Sequence, residues 1–299
     1  MIRFEALTKR FGAHRAVEDL TLSVAAGEVV ALLGPNGSGK TTSLKAAAGL
    51  VRPTSGRVLA GSPGTSTRDP AARRLISFLP QRVSFPESLT GGEVVEFYRR
   101  LRGVRPEAGL EALRATALNG AAARAVGTYS GGMTQRLGLA VAALADARAF
   151  LLDEPTSSLD PDGLCAFYGL AERWRREGRA VLFSSHQLGD VEQLADRIAI
   201  LVDGRLAADL GRRALNDRLA ARGVLRVRLA SCPPGLVPSL AALAPGTRWT
   251  GEEIVVPAPP ALRAAALERV RASGAEIRGL AAEEGGLEGL YRELVGGAS

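Results

Sequence analysis

One stretch, residues 29–42 with the sequence VVALLGPNGSGKTT, constrains the fold more than any other part of the chain. An apolar run followed by glycine is typical of a buried parallel strand, and the loop after it has the G-x-x-x-x-G-K-S/T spacing of a phosphate-binding loop. Glycines let such a loop turn its backbone N–H groups towards one anion, at the positive end of the following helix. The residues predicted to hold phosphate are Gly34, Asn36, Gly37, Ser38, Gly39, Lys40, Thr41 and Thr42.

The side chains at the end of this loop have separate predicted roles. Lys40 is long enough to reach the β and γ phosphates of a nucleotide, and the hydroxyl of Thr41 is a predicted ligand of Mg²⁺. Thr42 is predicted to hold the α-phosphate. A glycine-rich turn that only joins a strand to a helix is the alternative. Because the chain contains only three lysines, one of them in this position by chance is improbable, and we favour phosphate binding.

Length and composition set the size and class of the protein. With 299 residues, 46% hydrophobic and 23% charged, the chain can bury an α/β core and still form a second, smaller domain. It has no run of about 18 or more apolar residues and no apolar signal-peptide core near its N-terminus, so we expect neither a transmembrane helix nor export. Cys165 and Cys232 are far apart and have no partner at metal-ligand spacing, which argues against a zinc site or a disulfide framework.

The net charge of +7 is concentrated in the part of the chain that contains the phosphate-binding loop. Residues 221–299 carry nine arginines against eight glutamates and no aspartate, which leaves +6 for residues 1–220. A basic excess fits nucleic acid, an anionic membrane surface, or an arginine-rich composition without a charged partner. No basic run with interleaved aromatic residues occurs, so we favour the last explanation and do not expect nucleic-acid binding.

Two segments with alternating polarity, residues 2–7 and 17–24, are predicted to form antiparallel strands beside the core. The loop between them contains Phe11, an aromatic ring in polar surroundings. Such a ring can stack on the face of a purine base, a contact that contributes about 1–3 kcal/mol. A loop aromatic that packs against the protein core is the alternative.

A further apolar segment, residues 149–152, leads directly into two acidic residues. A carboxylate at a strand end in a phosphate-binding protein can hold Mg²⁺, the role predicted for Asp153, and the next carboxylate, Glu154, can take a proton from water. Paired acids in a loop without chemistry are the alternative. Asp160 closes the turn that follows.

Two more predicted strands end in side chains that suit catalysis. Residues 76–80 form an apolar strand that ends at Gln81, a good position for a catalytic amide, and residues 180–185 form another that ends at His186. The chain contains only two histidines, and this one terminates a core strand. A satisfied core histidine is the alternative interpretation of His186.

Residues 82–145 are predicted to be a helical subdomain inserted in this core, with an alanine-rich helix over 107–125. Within it, the turn Ser130-Gly131-Gly132 leads into the helix RLGLAVAALA. A Ser-Gly-Gly turn at a helix start can bind an anion. An ordinary helix cap explains it about as well.

The composition changes near the end of the chain. We place the first domain at residues 1–215, a linker at 216–222 and a second domain at 223–299. A strand, a Pro-rich stretch, a second strand, a helix, a third strand and a last helix suggest a small βαββαβ-like α+β domain, and it contains no catalytic constellation. Dimer contacts or regulation are its predicted roles. The predicted fold is therefore an α/β P-loop core with flanking antiparallel strands and a helical subdomain, plus a small α+β domain.

The order and spacing of these motifs resemble the nucleotide-binding subunit of ABC transporters over the first domain. The resemblance implies ATP as substrate, Mg²⁺ as cofactor and hydrolysis of ATP by water. Phe11 would stack on adenine, Gln81 would touch Mg²⁺ and water, and Asp153 would hold the metal. Glu154 would be the general base, and His186 would bind the γ-phosphate.

The same resemblance implies that two copies pair head to tail with two ATP molecules between them. The nucleotide contacts made at this junction would involve Ser130, Gly131, Gly132 and Asp160. This signature differs at both ends from the usual Leu-Ser-Gly-Gly-Gln, because the chain has Tyr129 and Met133 there. The central residues meet phosphate, so we expect activity to survive the difference.

Narrower features indicate a membrane partner. The short helical insertion and a C-terminal helix, GLEGLYREL, resemble subunits that drive ABC-2-type permeases. Residues 79–103 and 128–140 are similar to the ATPase that serves copper-site maturation of nitrous-oxide reductase. The implied partners are a second copy, an integral membrane permease and a periplasmic maturation protein, with the chain peripheral on the cytoplasmic face of the inner membrane. An ordinary ABC-2 efflux system and a soluble ATPase that acts on nucleic acid or ribosomes stay open as alternatives.

Overall fold

The structure is a computed structural model and describes residues 1–296. It divides into two compact units, Met1–Asp209 and a second unit that starts at Leu210. Within the described residues, no helix is both long enough and apolar enough to cross a membrane.

The first unit alternates strands and helices, as an α/β fold does. Its strands are β1 (Ile2–Phe11), β2 (His14–Val24), β3 (Val29–Leu33), β4 (Ser55–Ala60), β5 (Thr65–Ser66), β6 (Ile76–Leu79), β7 (Ala149–Leu152), β8 (Ala180–Ser184), β9 (Arg197–Val202) and β10 (Arg205–Gly211). Its helices are α1 (Lys40–Ala47), α2 (Pro70–Arg73), α3 (Gly91–Arg102), α4 (Glu107–Ala115), α5 (Gly131–Ala143), α6 (Pro161–Arg176) and α7 (Leu188–Leu194).

A six-stranded sheet with the order β10-β9-β3-β8-β7-β6 forms the centre of this unit. Strand β3 pairs in parallel with β8 and β9, and β7 pairs in parallel with β8 and β6. Every residue of β3, β7 and β8 is buried, as expected for parallel strands that are covered on both faces. The carboxyl ends of β3, β6, β7 and β8 lie at one edge of the sheet, so the residues that follow these strands meet there.

A second sheet, with the order β2-β1-β4-β5, is antiparallel and confirms the flanking strands predicted from the sequence. Apolar side chains from both sheets and from α1 share one core, which includes Phe4, Leu22, Leu32, Leu44 and Leu182. This core fixes α1, and with it the phosphate-binding loop, against the central sheet.

Helices α3, α4 and α5 pack around a separate apolar cluster. The long helix predicted over residues 107–125 is wrong, because α4 ends at Ala115. Ala117 has a left-handed φ of 53°, and two short 3-10 turns follow, Asn119–Ala121 and Val126–Thr128. Alanine-rich composition favours a helix, but the Asn-Gly pair in this stretch favours a turn and prevails here.

The elements of the second unit are α8 (Arg212–Ala220), β11 (Val224–Leu229), α9 (Leu236–Leu243), β12 (Arg248–Trp249), β13 (Glu253–Pro257), α10 (Pro260–Ala272), β14 (Ile277–Glu283) and α11 (Leu287–Gly296). Its four strands form an antiparallel sheet with the order β12-β13-β11-β14. Its elements have the order βαββαβ, a split βαβ arrangement, with one helix added at each end. The βαββαβ-like expectation therefore holds in outline, but α9 and β12 were not among the predicted elements. Apolar residues of β11, β13, α9 and α10 form its core.

Two segments of this unit differ from the sequence-based expectation. The Pro-rich stretch contains helix α9, in which Pro238 is the third residue. A proline in the first turn of a helix removes no intrahelical hydrogen bond, so this helix can form. The linker expected at 216–222 falls largely within α8, and the second unit starts at Leu210 rather than at residue 223.

Candidate active site

The phosphate-binding loop joins β3 to α1, and two of its glycines leave no room for a side chain. At Gly39, with a φ of 98°, an added Cβ would lie 2.3 Å from the carbonyl oxygen of Ala16. At Gly34, with a φ of 150°, it would lie 2.2 Å from the carbonyl oxygen of Leu201. Helix α1 begins at Lys40, the residue after Gly39. Its first N–H groups have no partner within the helix and are available to an anion.

A cavity of about 320 Å³ lies over this loop. Its volume is near the lower end of the range for small-molecule sites. Side chains that follow β6 and β7 complete its wall, so three strand ends contribute to one site. The lining residues are Ala16, Asn36, Gly37, Ser38, Gly39, Lys40, Thr41, Thr42, Gln81 and Glu154. All of them except Ala16 are residues that the sequence predicted for the site.

Lys40 is almost completely buried, with 6% of its surface exposed. Its ammonium group donates hydrogen bonds to the carbonyl oxygens of Gly34 (2.7 Å) and Pro35 (3.0 Å). Burial lowers the pKa of this amine below its ordinary value, although the negative charges of Glu154 and Asp153 oppose that shift. A phosphate oxygen would replace a neutral hydrogen-bond partner by a charged one, so this buried cation favours an anionic ligand.

Asp153 is 1% exposed and uses one carboxylate oxygen for two hydrogen bonds. Its Oδ1 accepts from the hydroxyls of Thr41 (3.1 Å) and Ser184 (2.7 Å), whereas its Oδ2 is buried without a hydrogen-bond partner. An unpaired buried carboxylate oxygen is costly and marks a position for a cation. Carboxylate, hydroxyl and amide oxygens are ligands that Mg²⁺ prefers, so Asp153, Thr41 and Gln81 fit this ion.

Glu154 is held through both its backbone and its carboxylate. Its φ of 49° is left-handed, and its N–H donates to the hydroxyl of Ser184 (2.9 Å). Its Oε2 accepts from the amide of Gln81 (3.2 Å) and lies 3.2 Å from Nδ1 of His186. The side chain of Glu154 is 12% exposed and that of His186 is 56% exposed. One shielded carboxylate oxygen therefore meets two of the other predicted catalytic side chains.

Phe11 lies at the end of β1 and does not line the cavity. It is 52% exposed, so its ring does not pack against the core, which was the alternative interpretation. The Nζ of Lys9 lies 4.6 Å from the ring centre, within cation–π distance. The ring is at the protein surface and accessible to a ligand.

The Ser-Gly-Gly turn also lies outside the cavity. The hydroxyl of Ser130 accepts a hydrogen bond from the N–H of Met133 (3.2 Å), so the turn caps α5, as the alternative interpretation predicted. Ser130 and Gly131 are exposed, and a Cβ added at Gly132 would lie 2.6 Å from the carbonyl oxygen of Ser158. The start of α5 is therefore at the surface of the chain and packed against the turn that follows β7.

Asp160 is a helix cap and does not line the cavity either. Its Oδ1 accepts from the N–H of Gly163 (3.0 Å) at the start of α6. Its Oδ2 forms an ion pair with Arg136 of α5 at 3.2 Å, and the same guanidinium donates to the carbonyl oxygen of Ala117 (3.2 Å). Asp160 thus connects α5 to α6 within one chain.

Two buried residues beside the site were missed in the sequence. Ser184 joins the carboxylate of Asp153 to the backbone of Glu154 through its hydroxyl. A serine at the end of the apolar strand AVLFS was a usable signal, because that strand end meets the other predicted catalytic groups. Asp190, a buried carboxylate on α7, has no comparable signal in the sequence.

Comparison with known proteins identifies a family. The family model described as ABC transporter matches residues 17–157. Over 212 residues the chain is 41% identical to the uncharacterized ABC transporter ATP-binding protein YxlF of Bacillus subtilis, a match that covers 69% of this chain and 70% of that protein. It is 35% identical over 232 residues to the daunorubicin/doxorubicin resistance ATP-binding protein DrrA of Streptomyces peucetius, with 76% and 70% covered.

Solved structures have the same fold. An ATP-binding subunit of an ABC transporter superposes with a TM-score of 0.67 at 27% identity, over 73% of this chain and 92% of the other. A dimeric ATP-binding cassette in a post-hydrolysis state, bound to ADP and phosphate, superposes with a TM-score of 0.64 at 28% identity, over 71% and 98%. The fold is that of the ABC ATPase cassette, and the chain belongs to the family of ATP-binding subunits of ABC transporters.

Proposed function

We propose that this chain hydrolyses ATP and drives an ABC-2-type membrane permease, as the motor subunit of an exporter. The observation that carries the proposal is the Glu154 carboxylate at the cavity wall, where its Oε2 lies 3.2 Å from the amide nitrogen of Gln81 and from Nδ1 of His186. A general base must lie within hydrogen-bond reach of the proton that it removes. The relative named for daunorubicin and doxorubicin resistance supports an export role.

ATP binds chiefly through its phosphates. Lys40 transfers its hydrogen bonds from the loop carbonyls to the β and γ phosphates, and the N–H groups of the loop surround the phosphate chain. Thr41, Asp153 and Gln81 would hold Mg²⁺, which when bound neutralises charge on the phosphate oxygens. The exposed ring of Phe11 stacks on adenine.

Hydrolysis transfers the γ-phosphoryl group to water. The water oxygen forms a bond to the γ-phosphorus while the bond from that phosphorus to the bridging oxygen of ADP breaks. Glu154 takes the proton that the water loses, and the amide of Gln81 orients the water. His186 donates a hydrogen bond to the γ-phosphate, whose charge it stabilises. The products are ADP and inorganic phosphate.

The Ser-Gly-Gly turn acts on the ATP of a second copy. Ser130 and Gly131 are exposed at the start of α5 and lie outside the chain's own cavity. Two copies arranged head to tail would place Ser130, Gly131 and Gly132 on the γ-phosphate bound by the other copy, where a helix N-terminus favours an anion. Asp160 would lie at the same junction, because it is paired with Arg136 of α5. The dimeric relative supports this homodimer.

The proposed permease contact is a groove of about 360 Å³ that both sequence neighbours of Gln81 line. The apolar residues Val83, Phe85 and Tyr98 also line it, and the last two rings pack edge to face with their centres 6.1 Å apart. An amphipathic helix of the permease would insert its apolar face here. Movement of that helix would then be transmitted to Gln81. Bound to such a permease, the chain would be peripheral on the cytoplasmic face of the inner membrane.

The test of the catalytic proposal is Glu154→Gln. The amide keeps the size of the side chain but cannot take a proton, so turnover should fall by roughly 10²–10⁴. The Kd for Mg-ATP should stay within about threefold, because a group that acts on the transition state alone does not change ground-state binding. Glu192→Gln, at an exposed position outside the cavity, is the matched control and should change neither value. Near-normal turnover of Glu154→Gln would remove this residue from the role of general base.

The narrower assignment to copper-site maturation of nitrous-oxide reductase stays a prediction. It depends on the similarity of residues 79–103 and 128–140, and it requires a periplasmic maturation protein as a further partner. Affinity purification of the Glu154→Gln chain with Mg-ATP from its native cells separates the possibilities. A permease recovered with a periplasmic maturation protein favours copper-enzyme assembly, and a permease alone favours efflux. Ribosomes or nucleic acid without any membrane protein would contradict the transporter proposal.

A further inference from the structure

The buried carboxylate of Asp190 is not one of the proposed catalytic groups and does not line the cavity. Asp190 is 3% exposed and belongs to the first turn of α7. Its Oδ1 accepts a hydrogen bond from the phenol of Tyr168 (2.7 Å), and its Oδ2 accepts one from the hydroxyl of Thr156 (2.5 Å). The hydroxyl of Ser185 lies 3.4 Å from the same Oδ2 and 3.3 Å from the carbonyl oxygen of Gln187, and its single proton can be donated to one of these two acceptors. A carboxylate buried this deeply is stable only where hydrogen-bond donors surround it, so the hydroxyls of Tyr168 and Thr156 hold it in place and the hydroxyl of Ser185 packs beside it.

Two of these hydroxyls belong to the loops that carry the proposed catalytic side chains. Thr156 follows Glu154 by two residues, and Ser185 directly precedes His186. The hydroxyl of Ser185 also accepts a hydrogen bond from the N–H of Gln187 (2.9 Å), which closes a tight turn around the histidine. Thr156 and Ser185 are close in sequence to Glu154 and His186. Holding either hydroxyl in place therefore also holds the backbone of the neighbouring catalytic residue.

We infer that Asp190 is a positioning residue that joins these two loops and thereby sets the 3.2 Å contact between Nδ1 of His186 and Oε2 of Glu154. The inference rests on the proposed ATPase function and adds to it a residue that does not line the cavity. A shift of either loop would break a hydrogen bond to a buried anion. Such bonds are stronger than those between neutral groups, so the observed arrangement of the loops is favoured over displaced ones.

Tyr168 fixes the carboxylate from a third element, α6. Burial and the hydrogen bond to Asp190 raise the pKa of this phenol above its ordinary value, so the phenol stays protonated and remains a donor. Both carboxylate oxygens are therefore occupied at the same time. The carboxylate cannot rotate to follow one loop without losing its bond to α6, which makes it a rigid connection.

The first test removes one hydroxyl and keeps the shape of the side chain. Thr156→Val deletes the hydrogen bond to Asp190, and turnover should fall by roughly 10- to 100-fold, because misplacing a catalytic group by about 1 Å has an effect of this size. The Kd for Mg-ATP should not change. Thr156→Ser restores the hydroxyl and should restore most of the turnover. Thr116→Val, which deletes a buried hydroxyl bonded to the carbonyl of Ala112 (3.0 Å), is the matched control and should leave turnover unchanged.

The second test asks whether the effect passes through His186. Asp190→Asn should lower turnover by the same order as Thr156→Val in the wild-type background. In a His186→Ala background the further loss should shrink to less than about threefold, because the contact that Asp190 sets is already absent. Equal losses in the two backgrounds would overturn the inference.

Two controls distinguish a folding defect from a loss of turnover. Thermal melting with and without Mg-ATP identifies any variant that fails to fold, and Thr156→Val decides the question if Asp190→Asn is one of them. Normal turnover of a folded Thr156→Val protein, beside an active wild type and an inactive Glu154→Gln variant, would overturn the inference and leave the proposed function intact. A wild-type chain that binds Mg-ATP without hydrolysing it would overturn both.

Discussion

The two units of this chain differ in whether they bury polar side chains. Among the described residues, every buried polar or charged side chain lies in the first unit, and Lys40, Asp153, Ser184 and Asp190 are among them. The buried side chains of residues 210–296 are apolar. Burying a polar group reduces stability unless hydrogen bonds compensate fully. Buried polar groups that line the cavity or hydrogen-bond to its lining, such as Lys40, Asp153 and Ser184, therefore mark positions where function, rather than stability, determines the sequence.

The second unit is specified mainly by its apolar pattern. Alternation along β11 buries Leu225, Val227 and Leu229 and leaves the two arginines between them more exposed. In the first unit the parallel strands β3, β7 and β8 are buried throughout, and the groups at their ends depend on hydrogen bonds between neighbouring elements. Substitutions in the two units should therefore fail in different ways, with loss of activity in the first and loss of stability alone in the second.

The largest effect is expected at Gly39. An alanine there needs a left-handed φ near 98° and places its Cβ 2.3 Å from the carbonyl oxygen of Ala16, so the phosphate-binding loop has to shift. Gly39→Ala should weaken Mg-ATP binding by at least about 10²-fold, because a displacement on the order of 1 Å removes N–H contacts to phosphate. Isothermal titration calorimetry with Mg-ATP measures the loss.

Gly37→Ala is the matched control for this change. Its φ of 82° imposes a similar left-handed strain, but a Cβ there meets nothing within 4 Å. The strain of one left-handed residue is roughly 1–2 kcal/mol, so binding should weaken less than in Gly39→Ala. Equal losses in the two variants would show that backbone strain, and not the contact with Ala16, governs the loop.

A purely structural effect is expected in the second unit. Leu240 is fully buried in its core, and Leu240→Ala should lower the free energy of unfolding of this unit by about 2–5 kcal/mol. The Kd for Mg-ATP should not change. The two tryptophans lie in different units, so fluorescence of Trp249 during urea unfolding, in a Trp174→Phe background shared by both proteins, reports on the second unit. A large loss of Mg-ATP affinity would show that the units do not respond separately.

Much of the fold and of the candidate site could be predicted because several sequence signals are local. The phosphate-binding loop is contained in one run of residues, so Lys40 and Thr41 could be placed from spacing alone. Gln81 and Glu154 are each the second residue after an apolar strand, and parallel strands bring their carboxyl ends to one edge of a sheet. The α/β class of the first unit and the α+β order of the second followed from the same alternation of strands and helices.

The remainder depends on contacts between residues that are distant in sequence. Asp190 bonds to a hydroxyl 34 residues away, and Ser184 bonds to a carboxylate 31 residues away, so no short pattern contains either pair. The early end of α4 at Ala115 had a local cause, but its alanine-rich sequence favoured a longer helix. Only the fold brings these side chains to their partners, so their contacts could not be predicted from the sequence.

The smallest effect is expected on the stability of the nucleotide-free protein at Lys40. Burial lowers the pKa of this amine, which means that the native state disfavours its charged form. Lys40→Met keeps a long side chain without the charge and should raise the melting temperature by about 1–4 °C. The same substitution should remove most of the stabilisation that Mg-ATP gives to the wild type. Differential scanning calorimetry with and without Mg-ATP measures both effects.

The pH dependence of the difference in melting temperature between Lys40→Met and the wild type identifies the cause of that difference. Below the folded-state pKa of Lys40 the amine is charged in both states, so the wild type is destabilised by the full desolvation of that charge. As the pH rises from there towards the ordinary lysine value of 10.5, the native state loses the proton before the unfolded state does, and the destabilisation disappears. The advantage of Lys40→Met should therefore shrink at high pH. A variant that melts below the wild type at neutral pH would show that the hydrogen bonds of Lys40 to Gly34 and Pro35 outweigh the desolvation of its amine.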